Sequence, residues 1–493
     1  MREYSPKRRT AVVFTGSGTS GAYHAGVLRA LDESGVKIDL VVGSGTGAIA
    51  AAYAAVDGGN RLYGKAGFWQ DIEWRSLYRV RPFLVLSLGL LACSFGVFLL
   101  PVAIGLLAGL LFPLVLIADR AWPGLASGIL GLVAVAPESL SGPYLAALAM
   151  PIFALALAAA TTLGLVLSRE RRRFAESLES FLDAHPGEAR LRRGLWDIAR
   201  GAALNDAPPS EAELGRRYVA LLSENVGQPG FRELVLRTAD LDAAGALPFV
   251  VLADEHRGGF LSARARDSYR DGRPVAVDLR ASGYDTLLFD AVAAGILPAV
   301  AGPVRRVAFP KGGLFSGETH RLTDATLVAG AGVKDAIDAG AEQVIVVSAS
   351  PVEPRRSPRR RGPRARLDAL LTTLEAQALG TDVDEAERIN RIVGTLGHRT
   401  DDGGRAWEDP TSGRLFRELP LWLVRPERRT LGPAELDGAR DPATEVVQTT
   451  ADLLEQGYRD AYRQFVEPVV GALPLPRREE PRPRDVRTQP VEL

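Results

Sequence analysis

The 493-residue chain is poor in the residues that build disulfide and metal frameworks. It has one cysteine, Cys93, so no intramolecular disulfide can form and nothing indicates an oxidising compartment. Its histidines lack the spacing of metal ligands, and the sequence predicts neither a metal site nor a cofactor. The five are His24, His185, His256, His320 and His398. The 59 basic residues balance 59 acidic ones, which argues against a nucleic-acid partner.

Charged residues are also missing from two long apolar stretches, residues 83–118 and 144–168. The second stretch is long enough to cross about 30 Å of hydrocarbon, and the first exceeds one crossing, with Pro101 able to fold it into a hairpin. Residues 124–136 are apolar but short, as in a partial span. We therefore predict a membrane-embedded helical insertion over residues 83–168. The alternative is a buried helical hairpin of a soluble domain.

Arginines flank this insertion on both outer ends, before residue 83 and after residue 168. By the positive-inside rule both flanks are cytoplasmic, so the number of crossings is even, two or four. The apolar stretch after residue 10 is too short for a signal-peptide core. The sequence predicts a multi-pass protein of the cytoplasmic (inner) membrane, with its main domain in the cytoplasm.

The N-terminal segment has the order strand, glycine loop, helix. Residues 11–15 predict a strand, residues 16–21 follow the pattern G-x-G-x-x-G, and residues 22–34 predict a helix ended by Gly35. One interpretation is a dinucleotide-binding turn. The other is an oxyanion hole, in which closely packed backbone N–H groups stabilise a developing negative charge.

A second glycine turn favours the oxyanion hole. Residues 38–49 predict a buried strand, a tight turn and a helix start, which is the shape of a nucleophile elbow, G-x-S-x-G. The pattern here is Gly43-x-Gly45-x-Gly47, so the attacking serine is missing. A dinucleotide site would need an acidic residue at the end of this strand, and Asp39 lies near its start.

Together with three later segments, these two turns resemble the patatin-like phospholipases. Residues 15–31 are similar to that family's oxyanion loop and helix, and residues 42–49 to its elbow. Residues 293–304 resemble the segment before its catalytic aspartate, and Asp324-Ala325-Thr326 stands where the family has D-G-G or D-G-A. Residues 339–347 resemble its following strand. The resemblance implies a three-layer α/β/α sandwich and a Ser–Asp dyad that cleaves acyl esters of lipids.

The positions that carry the family's chemistry have changed, apart from Asp324. Ser17 replaces the middle glycine of the oxyanion loop, Ser20 its arginine, and Gly45 the nucleophile, while Ala325 and Thr326 replace the glycines after the aspartate. Two neighbouring hydroxyls, Ser44 and Thr46, are the alternative nucleophiles. The resemblance implies these site residues: Asp324 at the retained dyad position; Gly45 at the nucleophile position; Gly16, Ser17, Gly18, Thr19 and Gly21 in the oxyanion loop; Gly43 and Gly47 in the elbow.

The rest of the chain completes the predicted domain plan. Seven arginines and no acid lie in the segment from Arg355 to Arg366, whose prolines exclude a stable helix. It is either a solvated linker or a contact for anionic lipid headgroups. The predicted segments are 10–80 and 170–350 for the two parts of the patatin-like domain, 83–168 for the insertion, 351–366 for the basic loop, 367–473 for a C-terminal helical part and 474–493 for a disordered tail.

Three functions are compatible with these features. The favoured one is a membrane-anchored patatin-like protein that binds membrane lipid or acyl chains without esterase activity, because Gly45 replaces the nucleophile. The second is an active lipid acyl hydrolase that uses Ser44 or Thr46 with Asp324. The third is a membrane protein whose sheet merely resembles patatins. The sequence identifies no protein partner.

Overall fold

The computed structural model describes most of the chain outside the apolar region. The described residues are 4–65, 67–70, 77–80, 182–201, 207–268, 276–297, 302–312, 315–328, 330–350, 363–400, 404–410, 415–427, 439–440 and 447–471, with a few isolated positions between 110 and 124. The chain divides into two compact units, Met1–Tyr78 with Ala184–Leu493, and Arg79–Asp183. In the second unit, β3 (Arg79–Val80) and β4 (Leu182–Asp183) form an antiparallel pair.

The first unit is built on a mixed nine-stranded sheet. Its main path runs β14-β10-β1-β2-β5-β6-β7, and β9 pairs with both β5 and β8. Strands β14, β10, β1, β2 and β5 are parallel to their neighbours, whereas β6 and β9 run antiparallel to β5. The strands are β1 (Thr10–Gly16), β2 (Leu40–Gly45), β5 (Glu233–Asp240), β6 (Gly245–Val251), β7 (Val277–Asp278), β8 (Arg305–Ala308), β9 (Thr319–Asp324), β10 (Gln343–Ser348) and β14 (Leu421–Val424).

Helices cover both faces of this sheet. Helices of the described residues are α1 (Gly21–Glu33), α2 (Gly47–Ala54), α3 (Gly59–Tyr63), α4 (His185–Ala199), α5 (Glu211–Asn225), α6 (Asp254–Ser268), α7 (Leu288–Ile296), α8 (Val333–Asp338), α9 (Pro363–Leu396) and α10 (Thr450–Ala461). Helices α6, α8 and α9 pack on one face, where Phe260, Ala336 and Leu379 join Val13 and Val42 in a single core. Helices α2 and α7 pack on the opposite face. This is the three-layer α/β/α sandwich that the resemblance implied.

The central strands form because their side chains are apolar on both faces. Every residue of β1 and β2 is buried. Continuous apolar runs of this kind are typical of parallel strands covered on both sides. Helix α1 packs against α10 at very short range, since a Cβ at Gly26 or Gly457 would overlap the backbone of the other helix. The C-terminal helix is therefore part of the core of this unit.

The sequence predicts helices over residues 367–396 and 443–472 and a strand over residues 419–424, and the structure departs from the C-terminal prediction at three places. Helix α9 begins at Pro363, inside the predicted basic loop of residues 351–366, because proline is tolerated in the first turn of a helix. The second helix begins at Thr450, because Val447–Gln448 forms β16 with β15 (Ala439–Arg440) and Thr449 caps the helix through a reciprocal bond with Asp452. A small antiparallel sheet of β11 (His398–Arg399), β12 (Arg405–Glu408) and β13 (Leu415–Arg417) was not expected. Its strands are too short for a clear alternation of apolar and polar residues.

The prediction of a transmembrane insertion, and with it the multi-pass inner-membrane localisation, is wrong. Among the described residues, no helix is both long enough and apolar enough to cross a membrane. Nearly all of residues 83–168 lie outside the described residues, as do residues 351–362 and the tail from residue 472. The prediction rested on the length of the charge-free stretches and on their flanking arginines, features that a membrane span requires but that do not by themselves form one.

Candidate functional site

The two glycine turns meet at the carboxyl ends of neighbouring strands. Gly16 at the end of β1 is in register with Gly45 at the end of β2. The carbonyl oxygen of Gly16 accepts two hydrogen bonds from Thr46, one from the backbone N–H at 2.8 Å and one from Oγ1 at 2.9 Å. In a working elbow, the N–H after the nucleophile points at the oxyanion. Here that donor is already bound within the protein.

Gly45 occupies a left-handed backbone conformation with no room for a side chain. Its φ is +61°. A Cβ at this position would lie 2.7 Å from Asp324 Oδ1 and closer still to the Gly16 carbonyl oxygen and Thr326 Oγ1. Real Cβ atoms do not approach that closely, so a serine here would displace backbone atoms. The space that a serine side chain at position 45 would need is therefore occupied by the Gly16 carbonyl, Thr326 and Asp324.

Asp324 ends β9 beside Gly45, and its carboxylate accepts three hydrogen bonds. Ser17 Oγ donates to Oδ2 at 2.7 Å, while the Thr326 backbone N–H and Oγ1 donate to Oδ1 at 2.8 and 2.5 Å. Burial raises the pKa of Asp324 to about 6, and the bonds from Thr326 and Ser17 oppose this shift. The aspartate is thus brought together with the glycine loop, and its hydroxyl partners are Ser17 of that loop and Thr326.

Neither alternative nucleophile reaches this aspartate. Ser44 pairs in register with Arg237, which is ion-paired to Asp335 of α8. Asp324 pairs with Thr238, the next residue of β5. Successive strand residues point to opposite faces, so Ser44 and Asp324 lie on opposite faces of the sheet. Thr46 directs its hydroxyl at the Gly16 carbonyl instead.

The remaining residues of the loop and elbow hold backbone segments close together. Gly18 has a φ of +62°, a conformation that glycine adopts without strain. A Cβ at Gly21 would lie 2.5 Å from Trp69 and 2.9 Å from Thr46. Cβ atoms at Gly43 and Gly47 would likewise overlap neighbouring backbone. Thr19 is buried, and among the described residues its hydroxyl has no hydrogen-bond partner.

Two further buried side chains near the site were missed by the sequence reasoning. Tyr78 donates to the carbonyl of Ile296 at 2.8 Å, and burial, together with the charge of Asp324, raises its pKa. His24 bonds the Thr15 carbonyl through Nε2 at 3.0 Å, and burial lowers its pKa to about 4. His24 is therefore neutral at pH 7. Neither residue stands in a recognisable motif, so only the packing could reveal them.

One cluster outside this site has the composition of a cation site. Ligand atoms of Glu233, Glu255 and His256 all lie within 4.8 Å of one another. The buried Glu233 is already paired with Arg9 at 2.8 Å and bonded to His256 at 2.7 Å. Its charge is therefore balanced without a metal ion.

The chain is similar to one known protein family over part of its length. The model of the patatin-like phospholipase family matches residues 12–108, the stretch that contains the glycine loop and the elbow. The predicted resemblance to this family is confirmed. No curated protein matches the chain. A solved structure that it is similar to is VipD from Legionella pneumophila, at 12% identity over 93% of this chain and 67% of that one, with a TM-score of 0.30. That score is too low to support an argument about fold or function.

The buried carboxyl of Asp324 predicts a stability change that depends on pH. A pKa of about 6 in the folded state, against 3.8 for the ordinary group, means that ionisation costs the folded protein roughly 3 kcal/mol at pH 7. Between about pH 4 and pH 6 the folded state binds more protons, so this contribution to stability falls as pH rises. We expect Asp324→Asn to raise the free energy of unfolding by about 1–3 kcal/mol at pH 7 and by much less at pH 4.5.

Urea unfolding of both proteins at the two pH values measures this difference. The groups that face Asp324 are Ser17, Thr326 and Tyr78, and none of them titrates in this range. A variant less stable than the parent at pH 7 would show that the three hydrogen bonds outweigh the cost of burial.

Proposed function

We propose that this chain binds lipid acyl groups at its patatin-like site and forms no acyl-enzyme intermediate at its elbow. The relation to patatin-like phospholipases indicates a lipid-related function. The observation that carries the proposal is position 45, where the space of a serine side chain is taken by Asp324, Thr326 and the Gly16 carbonyl. Without a side-chain oxygen at position 45, the Ser–Asp chemistry of the family has no attacking atom at the elbow.

The occupied oxyanion donor supports the same conclusion. Loss of one oxyanion-hole donor costs about 10²–10³ in turnover. The Thr46 N–H is bound to the Gly16 carbonyl, so a substrate oxygen would have to displace a bond within the protein. Two independent features of the site therefore oppose ester hydrolysis through the elbow.

We also propose that the arginine segment from Arg355 to Arg366 contacts anionic lipid headgroups. Seven arginines in twelve residues, with no acidic residue among them, support this. Each basic residue near an anionic lipid surface contributes about 1 kcal/mol. The segment would add affinity for anionic surfaces to the binding of acyl groups at the site.

Vesicle experiments test both parts of the proposal. We expect the full chain to sediment with phosphatidylcholine vesicles that contain phosphatidylserine, and to release no fatty acid from them. Replacing the seven arginines with glutamine should weaken binding to the anionic vesicles and leave binding to pure phosphatidylcholine unchanged. Sustained release of fatty acid would contradict the first part, and equal binding by the glutamine variant would contradict the second.

A further inference from the structure

Ser17 has a partner that the family pattern does not provide. It stands where the resemblance places the middle glycine of the oxyanion loop, and its hydroxyl donates to Asp324 Oδ2 at 2.7 Å. Both side chains are buried, with Ser17 6% and Asp324 1% exposed. The site thus has a serine hydroxyl bonded to its aspartate, and this serine lies in the glycine loop after β1 instead of in the elbow.

A serine hydroxyl hydrogen-bonded to a carboxylate is the smallest arrangement that activates the oxygen as a nucleophile. The carboxylate accepts the proton as the oxygen attacks. The position of Ser17 also fits this role, because it directly precedes the short turn Gly18–Ser20 and α1, whose first backbone N–H groups form the positive end of a helix. Ser20 Oγ donates to the Ser17 carbonyl and fixes the loop.

We propose that Ser17 is a site of covalent modification that reacts once with electrophilic acyl or phosphonyl esters of the lipid class. The proposal rests on the proposed lipid-binding function. Ser17 Oγ attacks the carbonyl carbon or the phosphorus, Asp324 takes the hydroxyl proton, and the leaving group departs. An alkoxide leaving group recovers that proton. With a fluorophosphonate, the O–P bond forms, the P–F bond breaks and fluoride leaves.

The same geometry explains why this reaction does not become turnover. Acylation of Ser17 and hydrolysis of the acyl-serine each pass through a tetrahedral intermediate that oxyanion donors stabilise. The elbow donor is bound to the Gly16 carbonyl, which slows both steps. A reactive electrophile with a good leaving group overcomes the first barrier, whereas water attacking the stable acyl-serine does not overcome the second. Ser17 therefore forms an adduct in stoichiometric amounts and regenerates slowly.

Labelling of the full chain with a fluorophosphonate, followed by intact mass and peptide mapping, tests the proposal. We expect one phosphonyl group per chain, located on Ser17 and absent from Ser17→Ala. Asp324→Asn should label about 10²-fold more slowly, which is the lower end of the effect of a general base. Ser44→Ala is the matched control, because its hydroxyl is buried on the other face of the sheet, and its labelling should equal that of the parent.

The outcomes separate this proposal from the proposed function. A chain that binds vesicles, releases no fatty acid and takes no label overturns the role of Ser17 and leaves the proposed function standing. Label on Ser44 or Thr46 also overturns the role of Ser17. Label on Ser17 accompanied by sustained release of fatty acid keeps Ser17 as the reacting residue, but it overturns the claim that Ser17 reacts only once and overturns the proposed function as well. Unfolding curves of Ser17→Ala show whether its loss of labelling reflects loss of the fold.

Discussion

Restoring the family's nucleophile with Gly45→Ser should destabilise the protein and yield no esterase activity. The new Cβ would overlap the Gly16 carbonyl and Thr326 and lie 2.7 Å from Asp324 Oδ1. Overpacking of this kind costs about 1–3 kcal/mol, and a left-handed conformation costs a non-glycine residue about 1–2 kcal/mol. We expect the free energy of unfolding to fall by about 2–5 kcal/mol, measured by urea denaturation.

The control variant Gly35→Ser separates the cost of steric overlap in Gly45→Ser from the cost of its backbone conformation. Gly35 has a φ of +68°, close to the +61° of Gly45, but a Cβ there would have no atom within 4 Å. This control should lose only the cost of the left-handed conformation, about 1–2 kcal/mol. Equal losses in the two variants would show that the site can open around a side chain. Robust ester hydrolysis by Gly45→Ser would show that the site is intact apart from its nucleophile.

Replacing Arg305 should lower the free energy of unfolding by a similar amount, in this case through electrostatics. Arg305 on β8 is paired with Asp290 of α7 at 2.7 Å, with Glu188 of α4 at 3.1 Å and with Glu211 of α5. Its side chain is 16% exposed. Arg305→Met would leave three carboxylates facing one another without a cation, and breaking a buried ion pair costs about 3–5 kcal/mol. We expect a loss of that size at pH 7.

A control variant and the pH dependence show whether the loss of stability in Arg305→Met comes from the lost charge. Arg321 on the adjacent strand β9 pairs with Asp242 at 2.8 Å, but its side chain is 46% exposed, so Arg321→Met should cost at most about 1 kcal/mol. Burial raises the pKa of Asp290 and of Glu188 despite the charge of Arg305. The loss in Arg305→Met should therefore shrink as acid protonates these groups. A loss that is the same at pH 4.5 and pH 7 would indicate that packing of the side chain, and not its charge, is responsible.

The sequence predicted the part of the fold whose signal is local. Strands β1 and β2 were predicted from continuous apolar runs, and the start of α2 from the glycine turn before it; the structure places them within one or two residues. Helix α9 and strand β14 were also predicted, over residues 367–396 and 419–424. The sheet of β11, β12 and β13 was missed because strands of two to four residues carry no periodic signal.

The candidate site, like the fold, was predicted from the sequence only in part. From the sequence, the family resemblance implied Gly45 at the nucleophile position and Asp324 at the position of the acid, because the segments around them occur in the family's order. It could not show that Ser17 donates to Asp324, because 307 residues separate them along the chain. The exclusion of Ser44 as a partner of Asp324 likewise depended on strand register.

What the sequence by itself determined is the resemblance to patatin-like phospholipases, the order of the strands and helices around the two glycine turns, and the glycine at position 45 of the elbow pattern. These follow from residue types at short, fixed spacings. Only the tertiary structure decided what surrounds position 45. Asp324 and Thr326 fill the space of a side chain there, Thr46 bonds the Gly16 carbonyl, and the Ser17 hydroxyl donates to Asp324. Those contacts join β1, β2 and β9, and their geometry is set by how the sheet brings distant strand ends together.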